Sequence, residues 1–586
     1  MIRRALIPLA LALLTAVVFL PALGGSFLNW DDNVNLLDNP AYRGLGREQI
    51  RWAFTSVLFG HYIPLTRLTW SLSYVLGGMD PWGYHLVSVL VHAANAVLFY
   101  FVALRLLAAA DAEGRQLGSR PPGLRAAAAV AALVFGIHPL RVEPVAWITA
   151  RADVLCGFFV LLAVWAYLRA VEEPGPAHCG LTLTSATALA AALLSKGAAL
   201  PFVAALFLLD IYPLRRTRRL GWRVLVREKL PLLLVTVAAA GAVGYAIRHG
   251  AVLTQVSEHG PLARIAAAAH SFLISPLRLI WPGSLSPLYE MPSAISVLEP
   301  RFALALAGGV LVTAVLILLR RAWPAGLAAW TFSVLMLSPT SALVRQGADL
   351  APDRYSYLAG LGFALLAGGA VPRVIRLVER GVLSRFTGWS IAAAGMVALA
   401  GLAIASWTYT QVWRDSETLW RWAVEMDSQC SVCHGKLGES ALAGPAGSTR
   451  AREAEDLFRR AIALRPDLPD AYFNLGTVLV LQGRYAEAEA PLRSYMERVP
   501  MAAAGPERLG LVYLLNGRHE AAAPLLREAL RRSPEAPGLR AYLAQALEGH
   551  ARALQAEGRA GEAEALQAEA RTLAATPDER RPSLRP

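Results

Sequence analysis

Charge is scarce in this chain. Of its 586 residues only 17% are Asp, Glu, Lys or Arg, while 55% are hydrophobic and the mean hydropathy is +0.42. Soluble proteins of this size carry nearer a quarter charged residues, so lipid must be the main solvent for much of the polypeptide. Cysteine is scarcer still, and four residues, Cys156, Cys179, Cys430 and Cys433, exclude a disulfide scaffold. Lysine occurs only at Lys196, Lys229 and Lys436, which leaves arginine to supply most of the positive charge. No two histidines stand at the H-x-x-x-H spacing of a helical zinc site. The net charge of +13 does not argue for nucleic acid, because the arginines gather in short segments between apolar runs, as in the cytoplasmic loops of membrane proteins.

What the chain has in quantity is long apolar runs. Residues 5–23, 84–107, 124–140, 154–170, 181–195, 198–212, 230–247, 303–320, 325–341, 355–371 and 389–409 each read as a candidate span. They predict an all-α polytopic bundle of about eleven transmembrane helices. The first run follows Arg3 and Arg4 and has no small-x-small cleavage site before Phe27 and Trp30, so it reads as an uncleaved helix. A cytoplasmic N-terminus puts the dense basic segments inside: Arg215, Arg216, Arg218, Arg219, Arg223, Arg227 and Lys229, then Arg373, Arg376, Arg380 and Arg385. An odd number of spans then carries everything after Tyr409 outside. Residues 264–281, interrupted by Pro276 and closed by Trp281-Pro282, read as a re-entrant or interfacial element. The first outer loop, residues 25–83, carries Trp52, Phe54, Leu58, Leu65, Trp70, Leu72 and Tyr74 at mixed helical spacing, which predicts amphipathic helices on the membrane surface.

Beyond residue 410 the texture changes to Ala, Glu, Arg and Leu with a 34-residue period. Ala454, Ala488 and Ala522 keep it, as do Pro466, Pro500 and Pro534, Gly476 and Gly510, and Gly483 and Gly517. This is the tetratricopeptide (TPR) period, with small residues where paired helices cross and proline closing the second helix. Degenerate repeats precede the array (Trp420, Ala423, Gly438) and follow it (Gly558, Ala563). The organisation expected is a membrane domain over 1–410, extracytoplasmic TPR repeats over 411–575 and a frayed tail over 576–586.

Several clusters carry chemistry. Asn29-Trp30-Asp31-Asp32, with Asn39-Pro40, puts two adjacent carboxylates at a membrane exit, where they are usually paired, metal-bound or catalytic. One of them could act as general base on an acceptor hydroxyl while its neighbour orients it or shares a cation; a solvated helix cap and turn is the plainer alternative. A divalent ion, if one is used, would be held by Asp31 and Asp32. His138, Arg141 and Glu143, with Trp147, Arg151 and Asp153, form a second cluster, suited to mutual pairing at the interface or to substrate contact. Lys196 sits between two apolar runs, where it could bind a lipid phosphate or snorkel. Asp349, Asp353, Arg354 and Tyr355 open another helix, and arginine suits phosphate through its planar fork. His61, His85 and His92 read first as helix-contact histidines. Cys430, Cys433 and His434 match the C-x-x-C-H pattern of c-type haem attachment, but the motif falls inside the helical frame of the repeats and no distal methionine domain follows. A local disulfide or free thiols are favoured over haem.

Taken in order, these segments resemble the transmembrane and TPR-containing O-mannosyltransferases, a GT-C-type glycosyltransferase family, and their bacterial relatives. The resemblance runs through Trp30-Asp31-Asp32 with Asn39-Pro40, then Asp80-Pro81 with His85 and Leu90-Val91-His92. It continues through Phe135-Gly136-Ile137-His138-Pro139 with Glu143 and Arg151-Ala152-Asp153-Val154-Leu155. Lys196 with Asp210, Asp353-Arg354-Tyr355 with Tyr357, and Trp413 with Glu417-Thr418-Leu419-Trp420 complete it. It implies a bacterial inner-membrane enzyme whose first outer loop bears the catalytic acid, Asp31 or Asp32. The implied donor is a polyprenyl-phosphate sugar, most often mannose, and the acceptor a protein hydroxyl recruited by the TPR groove. Arg354, Lys196 and Arg141 would hold the donor phosphate in an inverting displacement, with His138, Glu143, Arg151, Asp153 and His61 supporting the site. One departure stands out: the family tends to show Lys-Glu where this chain has Lys196-Gly197. A membrane-anchored TPR scaffold without catalysis, assembling envelope complexes, is the competing reading. Transport fits less well, because the charges lie at helix ends rather than mid-membrane.

Overall fold

The structure, a computed structural model, describes residues 2–58, 60–111, 122–173, 176–249, 260–344, 347–444, 447–536 and 538–575. The tail expected over 576–586 lies outside them. Among the described residues the chain is helical, and the only strand-like pairings are two isolated bridges, Leu58 with His61 and Glu290 with Asp349. Two compact units emerge, residues 1–422 and 423–586. The sequence placed that division after 410. Indole packing moves it: Trp420 sets its ring 5.0 Å from Trp30, and Trp422 Nε1 donates to Leu285 O at 2.9 Å.

In the first unit each of the eleven apolar runs falls on a helix, but among the described residues six helices are long and apolar enough to cross a membrane, or seven if the bent pair Leu124–Gly136 and Pro139–Ala146 counts as one. Of the other runs, two lie on the apolar but brief helices Ala5–Val18 and Gly197–Ile211 and one on Pro324–Leu337, of 14 residues, whereas 230–247 lies on Trp222–His249, a helix of 28 residues. The expected count of about eleven therefore exceeds the helices of full spanning length. Residues 264–281 form no re-entrant loop; they belong to one continuous helix, Pro261–Ile280, which keeps Pro276 inside it.

Helix Pro81–Ala110 is the hub, packed against Ile2–Val18, Leu124–Gly136 and Arg151–Glu172. Of the apolar window of Arg151–Glu172, 61% is buried, against none of that of Arg385–Val412, so the latter is a peripheral helix whose apolar surface lipid must cover. Close helix approach uses small residues, as expected where lipid tails supply no hydrophobic drive between helices. A Cβ on Gly136 would meet Thr15 and Ala96, and one on Gly368 would meet the Ala127 carbonyl. A buried polar knot ties the same helices. His92 Nε2 lies 2.9 Å from Gly136 O, a carbonyl that only accepts, so this nitrogen carries the proton and Nδ1 accepts from the Tyr357 hydroxyl at 2.8 Å. Asn95 Nδ2 donates to that hydroxyl and to Val154 O. Tyr357 also fills the space over Gly157, where a Cβ would stand 2.4 Å from the ring. Gly157→Ala is therefore expected to destabilise the membrane unit by about 1–3 kcal/mol through overpacking, read as a lower unfolding temperature in detergent.

The segment after the first helix folds into short helices, Arg47–Thr55 and Pro64–Gly77 among them, around a small core of Leu36, Tyr42, Ile63, Trp70, Tyr84 and Ile148. Trp52, Trp70 and Tyr74 pack into or against it, while Phe54 and Leu72 face outward, so these helices are amphipathic as expected.

In the second unit, helix pairs succeed one another: Ser431–Ala443 with Ser448–Leu464, Pro469–Leu481 with Tyr485–Arg498, Ala504–Leu515 with His519–Arg532, and Leu539–Ala556 with Ala560–Ala575. Ala454, Ala488 and Ala522 are wholly buried at the crossings. Gly476 and Gly510 admit Leu492 and Leu526, whereas Gly483 and Gly517 serve a different end, with φ of +74° and +71° in the turns between paired helices. Cys430 and Cys433 are joined by a disulfide at the start of Ser431–Ala443, which occupies both sulfurs that haem attachment would use.

Candidate functional site

The first unit holds an open cavity of about 530 Å³. Its walls come from the segment after the first helix (Trp30, Asp31, Asn35, His61, Arg67), from the turn entering helix Arg151–Glu172 (Trp147, Thr149, Asp153), from Lys196, and from residues 340–355 (Asp349, Arg354, Tyr355). Segments far apart in sequence thus bring carboxylates, cations and indole rings to one space.

The two adjacent aspartates have separate positions. Asp32 is fully buried: its Oδ2 accepts from Leu28 N at 3.0 Å, and its Oδ1 from Thr149 N at 3.0 Å and Thr149 Oγ1 at 2.6 Å. Burial pushes its carboxyl up to about 6 in spite of those three donors. Asp32 therefore staples the segment after the first helix to the turn at Thr149, and Asn35 Nδ2 reaches the same Thr149 hydroxyl. Asp31 lines the cavity, and its φ is +143°, a region that L-residues with a side chain rarely adopt. Such strain persists where the surroundings over-determine it. Here the flanks are pinned on both sides. Ser26 N donates to Arg414 O, Asn29 N to Ser416 Oγ, and Trp420 Nε1 to Asn29 Oδ1, while Trp30 packs between Trp147 and Trp420. Both oxygens of Asp32 accept from neutral donors, and no group of three or more His, Cys, Asp or Glu placed to hold a metal occurs among the described residues.

Two cations expected on the donor phosphate reach the cavity. Lys196 Nζ bonds Asp153 Oδ2 at 2.5 Å, and the ammonium lies 5.4 Å from the centre of the Tyr355 ring. Arg354 is gripped by Glu143, which accepts from its backbone N at 2.8 Å and from its Nη1, with Asp349 Oδ2 at 3.6 Å from the same nitrogen. Its Nε and Nη2 have no hydrogen bond among the described residues and remain available to an oxyanion. Burial pushes Asp349 up to about 7, against the pull of Arg354.

The third cation, Arg141, is not on the cavity wall. It is buried against the Phe135 and Tyr357 rings, with Nη1 3.3 Å from Ser356 Oγ. Arg151 is likewise interior, donating to Thr69 O, Ser73 Oγ and Tyr84 O and so bracing three segments. His138 caps its own turn through Nδ1 and bonds Leu279 O through Nε2 at 3.0 Å, also away from the cavity. Glu143 supports the site through Arg354, Asp153 through Lys196, and His61 lines the wall directly. Among the wall residues that escaped the sequence reading are the polar Asn35, Thr149, Thr340 and Arg67. Arg67, a lone guanidinium in an apolar stretch, was the one with a signal; it donates to Ser56 O at 2.7 Å and to His61 O.

A model of the tetratricopeptide repeat matches residues 446–503 and 492–537. Protein O-mannosyl-transferase TMTC4 of Homo sapiens is 39% identical over 115 residues, 19% of this chain and 15% of that protein. Protein O-mannosyl-transferase Tmtc2 of Drosophila melanogaster is 31% identical over 210 residues, 34% of this chain and 21% of that protein. The chain thus matches about 15% of the length of the human relative. A crystal structure of MamA covers 27% of this chain and 86% of its own at 18% identity, with a TM-score of 0.23. The resemblance carried by the motifs is borne out: in its TPR repeats, its apolar helices and the matched stretches of sequence, this chain is similar to the transmembrane and TPR-containing protein O-mannosyltransferases.

Proposed function

We propose that the chain is a glycosyltransferase of the outer membrane face that moves a sugar, mannose by the names of its relatives, from a polyprenyl phosphate to a protein hydroxyl. The observation that carries this is the shared cavity: the strained Asp31 and the cations Lys196 and Arg354 line one cleft. Asp31 takes the proton of an acceptor Ser or Thr hydroxyl as its oxygen attacks the anomeric carbon. The new C–O bond forms as the bond to the phosphate oxygen breaks. The polyprenyl phosphate leaves with the electron pair, stabilised by Lys196 and by the free nitrogens of Arg354. A single displacement inverts the anomeric centre. Chemistry needs no glutamate after Lys196, because Asp153 orients the lysine. The lipid tail stays in the bilayer while the TPR repeats recruit the acceptor. In a bacterial cell this places the protein in the inner membrane, N-terminus in the cytoplasm and repeats outside, as the arginine distribution favours.

Mass spectrometry of extracytoplasmic proteins from cells with and without the gene tests this. A hexose lost from Ser or Thr on deletion is the expected result. An unchanged glycoprotein profile would leave a membrane-anchored TPR scaffold as the better account.

A further inference from the structure

The strongest charge imbalance in the membrane unit lies away from the cavity, between residues 210 and 229. Its carboxylates are already spent. Asp210, fully buried, is held by Lys229 Nζ, by Arg216 Nη1 at 3.1 Å and by the Tyr167 hydroxyl at 2.6 Å. Glu228 accepts from Arg216 Nη2 at 2.8 and 2.9 Å. That knot fixes both ends of the segment. Between its ends stand Arg215, Arg218, Arg219, Arg223 and Arg227, all exposed and none with an ion pair among the described residues. Interleaved with them are Leu220, Trp222, Val224 and Val226, also exposed, with Trp222 packed against Phe207.

We propose that this arginine segment is a binding surface for the headgroups of anionic phospholipids. Five guanidinium groups within 13 residues repel one another, and nothing in the fold neutralises them. A phosphodiester with a net negative headgroup supplies the missing charge, and each guanidinium can give it two parallel N–H donors. The apolar neighbours decide for lipid over a free anion. An exposed tryptophan among exposed aliphatic residues suits the boundary between headgroups and acyl chains, where indoles concentrate in membrane proteins. The buried knot holds the segment in shape, so its arginines are presented without a large ordering cost. Helix Trp222–His249 begins inside the segment, so a lipid bound there would brace the entry of that helix. The inference needs only that the chain spans a membrane, and it stands or falls apart from the sugar-transfer reading.

The test uses the full chain in an uncharged detergent, titrated with short-chain phosphatidylglycerol, short-chain phosphatidylcholine or inorganic phosphate, with the unfolding temperature as readout. Phosphatidylglycerol should raise it saturably, and less so as salt is added; phosphatidylcholine and phosphate should not. The pair Arg218→Gln with Arg219→Gln should weaken phosphatidylglycerol binding roughly 30-fold, at about 1 kcal/mol per arginine, whereas Arg218→Lys with Arg219→Lys should keep most of it. Because these side chains make no internal ion pair, lipid-free stability should not change. Equal binding of the two lipids by the unaltered chain overturns the proposal without any substitution. So does a response to phosphate equal to that for phosphatidylglycerol, or a Gln pair that binds as tightly as the original.

Discussion

Asp31→Asn is expected to lower sugar transfer by about 10²–10⁴-fold, the usual contribution of a positioned general base. The neighbouring Asp32→Asn should behave in the opposite sense. Asparagine can still accept from Thr149, but its NH2 would face the Leu28 N–H, donor against donor. Leaving one buried donor unmet costs about 1–3 kcal/mol, so this variant should lose stability first and activity only as Asp31 drifts. Asp31→Gly sharpens the contrast. Glycine adopts φ of +143° without strain, so the variant relieves the backbone at this position and should yet be inactive. The pH dependence follows from the burial of Asp32, whose folded value of about 6 exceeds the ordinary 3.8. A carboxyl raised in this way holds its proton longer when folded. Its contribution to stability is full below about 4 and is lost as pH rises through about 6. Asp32→Asn should flatten that part of the stability profile, whereas Asp31→Asn should keep most of it, because burial is the main cause of the shift and the Asp31 charge only a minor one. Transfer assays on the purified variants beside thermal unfolding from pH 4 to 8 read all of this. A fully active Asp31→Asn would remove the base from the mechanism.

Breaking the Glu143–Arg354 pair should produce the largest stability change at the cavity. Their side chains are 2% and 13% exposed, so removing one partner leaves the other charged and poorly hydrated, at a cost of about 3–5 kcal/mol. Glu143→Gln and Arg354→Met should each lower the unfolding temperature markedly. The double variant should lose less than the sum, since Glu143 and Arg354 then leave neither partner of their own pair stranded. Activity separates the two roles. Arg354→Met removes the nitrogens that face the donor phosphate and should raise KM for the polyprenyl-phosphate sugar and lower kcat. Glu143→Gln keeps the guanidinium but loosens it, so kcat should fall more than KM rises. Identical kinetic effects for both would mean that Arg354 acts only through the fold.

The apolar runs were legible because lipid sets their composition, and each of the eleven lies on a helix. Their number as full spans was not, because run length in sequence ignores where a helix ends: Phe202–Ile211 stops at Tyr212-Pro213 after ten residues. The repeats were legible for a different reason. A unit that stacks on copies of itself must return the same small residues to the same crossings, and Ala454, Ala488 and Ala522 do so. Even there, the glycines Gly476 and Gly483 look alike in sequence, although one admits Leu492 and the other takes a left-handed turn.

By itself, then, the amino-acid order determined the solvent of each part of the chain, the helical period of the repeats and the acidic and basic residue types at the ends of the apolar runs. Only the tertiary structure decided which of those charges share a space. It separated Asp31 from Asp32, brought Lys196 and Arg354 to the cavity and turned Arg141 and Arg151 inward. The physical reason is that hydropathy and periodicity are local sums, whereas the position of a buried charge depends on partners 43 to 211 residues away in the chain, as for Lys196 with Asp153 and Arg354 with Glu143.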